Sequence, residues 1–169
     1  LPPLPLLILH ISQIKTGKST QINNLIYRPE YWGADPDDPE NHPRVFDDIH
    51  FISPTCYVDK THRFLAEDDE INKYDEYSDE LVDAIVDHQL SYGKEDRPLT
   101  ALFFDDCVGI IPRESKAFKL STRFRHYNFG VLYYSVQQFK AVPPVLRTNA
   151  NLVIIGSPMM NQAELRDKI

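Results

Sequence analysis

The sequence is poor in residues that build covalent or metal-bound scaffolds. Only two of its 169 residues are cysteine, Cys56 and Cys107, and they form no C-x-x-C pair. Two cysteines cannot form a thiolate metal cluster alone, and they favour a reducing compartment. The longest apolar stretch, residues 4–11, is too short to cross a membrane. It also lacks the basic leader and the small-residue cleavage site of a signal peptide.

Basic residues are outnumbered as well, with 18 against 25 acidic residues and a net charge of −7. That balance argues at first against a nucleic-acid partner. The charge is unevenly spread, however. Residues 30–87 hold 18 acidic and 4 basic residues, a net charge of −14, whereas residues 107–150 hold one acidic and seven basic residues, a net charge of +6. The net charge of the whole chain therefore does not exclude a nucleic-acid partner, because it sums two segments of opposite charge.

Apolar segments of strand length alternate with segments of helical periodicity. Strands are predicted at residues 4–11, 49–53, 99–104, 129–135 and 152–155; helices are predicted from Lys18 to before Pro29, from an N-cap at Ser78, over 114–124 and over 162–169. Residues 31–44 are expected to form a surface loop, 67–76 to be solvated, and 138–147 to form a loop or broken helix. The pattern predicts an α/β fold with a mainly parallel five-stranded sheet flanked by helices. Residues 1–169 are expected to form a single core domain, truncated at both ends.

A phosphate-binding loop is predicted between the first strand and the first helix. Residues 12–19 occupy the frame G-x-x-x-x-G-K-[ST], with Ser12 in place of the first glycine. In such a loop, Lys18 reaches the β- and γ-phosphates and the Ser19 hydroxyl binds Mg²⁺. Serine holds the first position without penalty only if its φ is not positive. The predicted nucleotide-binding residues are Ser12, Lys15, Thr16, Gly17, Lys18, Ser19 and Thr20.

Two acidic residues follow the third predicted strand, as in a Walker B element. Asp105 at the strand end is suited to orient the ligand shell of Mg²⁺. Asp106 is suited to polarise or deprotonate the attacking water. Two acids that merely cap a turn are the alternative interpretation.

Gln137 ends the fourth predicted strand, and its amide is expected at the same sheet edge as Lys18 and Asp105. There it can sense the γ-phosphate or position water. Arg125 is the candidate arginine finger, a cation often supplied by a neighbouring subunit. Arg123 and Arg147 are alternatives for that role.

Taken in order, these segments resemble the genome-packaging ATPases of large double-stranded DNA viruses, the poxvirus-type branch of the FtsK–HerA superfamily. The matching segments are Gly-Lys-Ser-Thr at 17–20, Phe-Phe-Asp-Asp at 103–106, Arg-Phe-Arg-His-Tyr-Asn at 123–128, Ser-Val-Gln at 135–137 and Leu-Arg-Thr-Asn at 146–149. Ile-Ser-Pro-Thr at 52–55 and Asp59 are also similar. The last three of these five segments, occurring in this order, are the ones most specific to that family.

The resemblance implies a RecA-like P-loop NTPase fold, with ATP and Mg²⁺ as cofactors. It implies phosphate binding by Lys18, metal binding by Ser19 and Asp105, catalysis involving Asp106, a sensor role for Gln137 and a finger role in trans for Arg125. It further implies a homo-oligomeric ring, commonly hexameric, that pumps duplex DNA into a capsid at a portal vertex. The expected location is the cytoplasm of an infected cell, at a viral factory, or the virion.

Two other interpretations stay open. The Gly-Lys-Ser-Thr-Gln segment also resembles the start of a thymidylate kinase, although no Asp-Arg pair with an aromatic neighbour and no arginine-rich lid is visible. A P-loop-shaped binding or assembly module, the catalytically impaired remnant of a viral gene, is the second alternative. Ser12 is its main support.

Overall fold

The apolar segments form the strands of one parallel sheet in the computed structural model, which describes residues 1–13 and 17–156. The strands are β1 (Leu6–Ile11), β2 (Asp48–Ile52), β3 (Ile71–Tyr74), β4 (Thr100–Phe104), β5 (Phe129–Val136) and β6 (Leu152–Ile155). The helices are α1 (Lys18–Tyr27), α2 (Arg63–Glu67), α3 (Asp79–Ser91), α4 (Lys116–Leu120) and α5 (Pro144–Asn149), with single 3-10 turns at Lys60–His62, Phe124–Tyr127 and Phe139–Ala141. None of these helices has the length and apolar character needed to cross a membrane.

The strand order is β3-β2-β4-β5-β1-β6, and every neighbouring pair is parallel. The central strand β5 therefore lies between β1, which leads into the predicted phosphate loop, and β4, which leads into the acidic pair. In a parallel sheet, the carboxyl ends of all strands meet at one edge. The loops that follow β1, β4 and β5 are thus neighbours in space although they are far apart in sequence.

The sheet is covered on both faces, as the uninterrupted apolar strands predicted. On one face, Leu9, Phe104 and Tyr134 belong to a core that includes side chains of α3, α4 and α5. On the other face, Ile8 and Phe103 belong to a core that includes side chains of α1 and α2. Helix α3 begins as predicted, because Ser78 Oγ accepts a hydrogen bond from the Leu81 amide at 3.0 Å.

The predicted strand count was wrong, since the sheet has six strands and not five. The missed strand, β3, lies inside the acidic segment 67–76, which was expected to be solvated. It is an edge strand that pairs only with β2, and Ile71 is its one buried residue. An edge strand can pair through its backbone with few apolar side chains. The alternation of apolar and polar residues that predicts a strand is therefore weak in this segment.

The helix predicted over 114–124 is shorter than expected and covers only α4. Hydroxyl groups explain its early end. Ser121 Oγ donates to the Phe118 carbonyl at 2.6 Å, and Thr122 Oγ1 donates to the Lys119 carbonyl at 2.9 Å. Such side-chain bonds compete with helix continuation. The helix predicted over 162–169 lies outside the described residues.

Candidate active site

A left-handed glycine starts the helix that follows the phosphate loop. Gly17 has φ +89°, a conformation that side chains disfavour, and its carbonyl accepts the first helical hydrogen bond, from Gln21, at 2.9 Å. Glycine offers no side-chain oxygen to the amide groups of the first turn of α1. These N–H groups, at a helix end with partial positive charge, are suited to bind an anion.

Lys18 lies almost fully buried at the start of α1, with 6% of its side chain exposed. Its Nζ donates to the carbonyls of Ser12 at 3.1 Å and Gln13 at 3.3 Å. Nζ also lies 3.8 Å from Asp106 Oδ1. The lysine therefore links the phosphate loop to the acidic pair, as a cation shared between the two motifs.

Ser12 occupies the first position of the loop without backbone strain. Among the described residues, positive φ angles are found at Gly17, Asp106 and Asn128, and Ser12 is not one of them. Its side chain is buried, and its amide donates to the Val136 carbonyl at 3.0 Å, which fixes the start of the loop to the end of β5. The substitution of serine for glycine is thus compatible with the backbone at this position.

The two acids after β4 have different environments. Asp105 is fully buried, and its Oδ2 accepts a hydrogen bond from His62 Nε2 at 3.1 Å. Its Oδ1 is buried without a hydrogen-bond partner among the described residues. Asp106 has φ +51°, and its side chain is 35% exposed. Asp tolerates this left-handed backbone, and the Asp106 carboxylate lies beside Lys18.

Asp106 also lies close to Gln137, the exposed residue that follows β5, and the two residues line the same cavity. Burial and the neighbouring Asp105 carboxylate raise the pKa of Asp106, while Lys18 and Gln137 partly offset that rise. A cavity of about 250 Å³ beside this pair is lined by residues that include Val108, Ser135 and Gln137. The structure therefore brings Lys18, Asp106 and Gln137 together, and their catalytic roles stay predictions.

The donor atoms present fit a magnesium ion. Mg²⁺ prefers oxygen ligands and is commonly held by one or two protein groups together with phosphates and waters. The buried, unpaired Oδ1 of Asp105 and the hydroxyl of Ser19 on the first turn of α1 are such ligands. Among the described residues, no group of three or more His, Cys, Asp or Glu side chains could hold a metal ion. Thr20 follows on the exposed side of α1, and Lys15 and Thr16 lie outside the described residues.

The structure does not bring Arg125 to the site of its own chain. Arg125 is exposed on the 3-10 turn before the amino end of β5, and Arg123 is exposed just ahead of it. The seven residue steps of β5 separate that edge from the carboxyl edge by roughly 23 Å. Arg147, also exposed, lies on α5 with its guanidinium 5.3 Å from the Phe139 ring centre. A finger role for Arg125 consequently requires a second subunit.

Two buried histidines were missed by the sequence reasoning. His62 contacts Asp105 from a turn 43 positions away, and no sequence pattern signals that contact. His10 interrupts the apolar run of β1, which is a weak signal. Its Nδ1 lies 2.5 Å from the Tyr133 hydroxyl, and its Nε2 lies 3.4 Å from Ser12 Oγ. His10 thus belongs to a polar layer beneath the phosphate loop.

His10 predicts a pH dependence of stability. Burial, reinforced by the Lys18 charge and opposed by Asp105, lowers the pKa of His10 to about 4. Below pH 6.5 the unfolded chain binds a proton at this residue and the folded chain does not, so stability falls as the pH falls toward 4. Between pH 7 and pH 5, the wild type is expected to lose about 2 kcal/mol more free energy of unfolding than His10→Gln.

Urea unfolding at the two pH values measures this difference. Replacement of the exposed His42 by glutamine is the matched control and should leave the wild-type pH dependence unchanged. An identical loss of stability in wild type and His10→Gln would contradict the prediction.

Comparison with known proteins finds similarity at the level of structure alone. No family model matches the chain, and no curated protein matches it by sequence. The genome packaging NTPase B204 from Sulfolobus turreted icosahedral virus 2, in complex with ATP-gammaS, is 17% identical with a TM-score of 0.58, over 95% of this chain and 78% of that one. EssC (ATPases 2 and 3) from Geobacillus thermodenitrificans is 13% identical with a TM-score of 0.67, over 98% of this chain and 34% of that one. Thermomonospora curvata EccC (ATPases 2 and 3), in complex with a signal sequence peptide, is 12% identical with a TM-score of 0.53, over 85% of this chain and 28% of that one.

The viral protein is described as a genome packaging NTPase, and the EssC and EccC chains are described as ATPases. This chain spans most of the viral protein but only about a third of the EssC and EccC chains. At sequence identities of 12%, 13% and 17%, the similarity to these structures is a similarity of fold. The expected parallel sheet with flanking helices is confirmed, and the chain has the fold of P-loop ATPase domains.

Proposed function

We propose that this protein is an ATP-hydrolysing DNA translocase that packages viral double-stranded DNA into capsids. The observation that carries the proposal is the meeting of Lys18, Asp106 and Gln137 at one sheet edge, from three separate elements. The fold it shares with a protein described as a genome packaging NTPase supports the same interpretation.

The chain's own residues divide into phosphate binders and water activators. The first-turn amides of α1 and the side chain of Lys18 bind the phosphates, with the loop from Ser12 around them. The Ser19 hydroxyl and Asp105 would hold Mg²⁺, which when bound neutralises charge on the phosphates. Asp106 accepts the proton of the attacking water, and Gln137 orients Asp106 and that water. Its raised pKa makes Asp106 a stronger base than an ordinary aspartate.

The geometry favours this function over the alternatives. The hypothesis of an inactive binding module rested mainly on Ser12. Ser12 is buried and its backbone is unstrained, so this residue gives that hypothesis no support. In a nucleotide kinase, arginines should converge on the transferred phosphate. Arg123 and Arg125 instead lie at the amino edge of β5, away from Lys18. Phosphate transfer from ATP to dTMP would reverse this preference.

The basic segment 107–150 supports a partner with negative charge. Arg113, Lys116, Lys119 and Arg123 line a groove of about 490 Å³ between α3 and α4. Lys116 pairs with Asp83 at 3.3 Å and Lys119 with Glu114 at 4.0 Å, whereas Arg113 and Arg123 make no ion pair with any described residue. Exposed cations of this kind bind the DNA backbone without regard to sequence.

The position of Arg125 supports a ring. An exposed arginine on the far sheet edge can act only on the nucleotide of a neighbouring copy, which requires head-to-tail contacts. We therefore propose a homo-oligomeric ring, hexameric as is common for the family, that docks on a capsid portal vertex. The corresponding location is a viral factory in the host cytoplasm, or the virion.

ATP turnover with and without duplex DNA, measured over a range of protein concentrations, tests this proposal. We expect turnover to be stimulated by DNA and to rise more steeply than linearly with protein concentration, because each site needs a finger from its neighbour. The stimulation should weaken as salt is added, since it depends on phosphate contacts. Turnover that is linear in protein concentration and indifferent to DNA would contradict the proposal.

A further inference from the structure

We propose that His62 is a positioning residue for Asp105, which it holds by one carboxylate oxygen so that the other faces the magnesium site. The inference rests on the proposed function and adds to it a residue outside the predicted motifs. It concerns the orientation of a metal ligand and assigns no proton transfer to His62.

The contact between the two side chains is fully buried on both sides, with 0% exposure of each. His62 Nε2 lies 3.1 Å from Asp105 Oδ2. Because an aspartate carboxylate only accepts hydrogen bonds, the ring nitrogen is the donor. With Oδ2 occupied, the unpaired Oδ1 is the atom that remains for a ligand. A carboxylate oxygen in this position is available to a cation or to a water bound to it.

The turn that carries His62 is fixed from two sides. Asp59 Oδ1 accepts a hydrogen bond from the Thr61 amide at 2.8 Å, which caps the 3-10 turn. Asn23 Nδ2, on α1, donates to the Thr61 carbonyl at 2.5 Å. The imidazole ring packs against Phe51, with ring centres 4.9 Å apart. These contacts leave the ring little freedom, so its N–H direction is set before any ligand binds.

The same contacts join the two halves of the magnesium site. Helix α1 carries Ser19 in its first turn and Asn23 about one turn later. Through Asn23 and Thr61, the helix that presents the hydroxyl is attached to the turn that orients the carboxylate. Groups that hold a metal ligand in this way commonly affect metal affinity by about 10- to 100-fold.

Binding of a fluorescent ATP analogue, titrated once with Mg²⁺ and once with EDTA, tests the inference. The ratio of the two affinities isolates the metal contribution from the phosphate contacts of Lys18. In His62→Leu, which removes the donor, we expect that ratio to fall about 10- to 100-fold while the affinity in EDTA is unchanged. His62→Gln keeps an N–H donor and should recover most of the ratio. His42→Leu, at an exposed histidine, is the matched control.

An unchanged ratio in His62→Leu overturns the inference. Equal falls of the ratio in His62→Leu and His62→Gln also overturn it, because the hydrogen bond would then not be the cause. A matching loss of affinity in EDTA overturns it as well, because that loss would mark a purely structural role. If His62→Leu does not fold, the glutamine variant decides: a ratio near the wild-type value supports the inference and a full loss overturns it. A wild-type protein that binds no nucleotide under either condition instead contradicts the proposed function.

Discussion

Replacement of Lys18 by alanine is expected to reduce ATP turnover by about 10²- to 10³-fold, the cost of removing one preorganised charge from a phosphoryl-transfer site. The physical reason is the position of the ammonium group. Nζ lies between two loop carbonyls and the Asp106 carboxylate, where little solvent screens it. A phosphate that enters the loop replaces those carbonyls as its partner. The loss should appear in nucleotide affinity as well as in turnover, and both are measured by titration and by phosphate release.

Lys94→Ala is the matched control, because Lys94 is an exposed lysine in the loop between α3 and β4. Its turnover should equal that of the wild type. Full turnover in Lys18→Ala, from a sample with wild-type circular dichroism, would exclude the P-loop as the catalytic site.

Asp106→Asn is expected to lower kcat by about 10²- to 10⁴-fold, the usual contribution of a general base. Asparagine has the same shape and also tolerates the left-handed backbone at φ +51°, so the fold is preserved. Unlike Lys18→Ala, this variant should bind ATP nearly as well as the wild type. Lys18 loses a carboxylate neighbour at 3.8 Å, which leaves it at least as available to phosphate.

Single-turnover phosphate release together with an independent binding titration separates the two effects. Asp87→Asn, at an exposed position of α3, controls for the loss of a negative charge. Equal losses of affinity and rate in Asp106→Asn would assign the residue to substrate binding and contradict its role as the base.

The positions of the candidate site residues were predictable where the motifs that contain them are local, whereas the roles of these residues stay predictions. The phosphate loop and the acidic pair each combine an apolar strand with the residues that directly follow it, and both signals lie within a dozen positions. The position of Gln137 was predictable from the same rule, since it directly follows a parallel strand. His62 was not, because its contact with Asp105 spans 43 positions and follows from packing against Phe51.

By itself, the sequence determined the alternation of strands and helices, the burial of the sheet on both faces, and the residues at the strand ends. These properties follow from periodicity and from the chemistry of adjacent residues, which act over a few positions. Only the tertiary structure decided that β5 lies between β1 and β4, that a weakly apolar segment supplies the edge strand β3, and that Arg125 lies at the opposite edge from Lys18. Strand order and side-chain contacts across the core depend on pairings between distant segments, and no local pattern encodes those pairings.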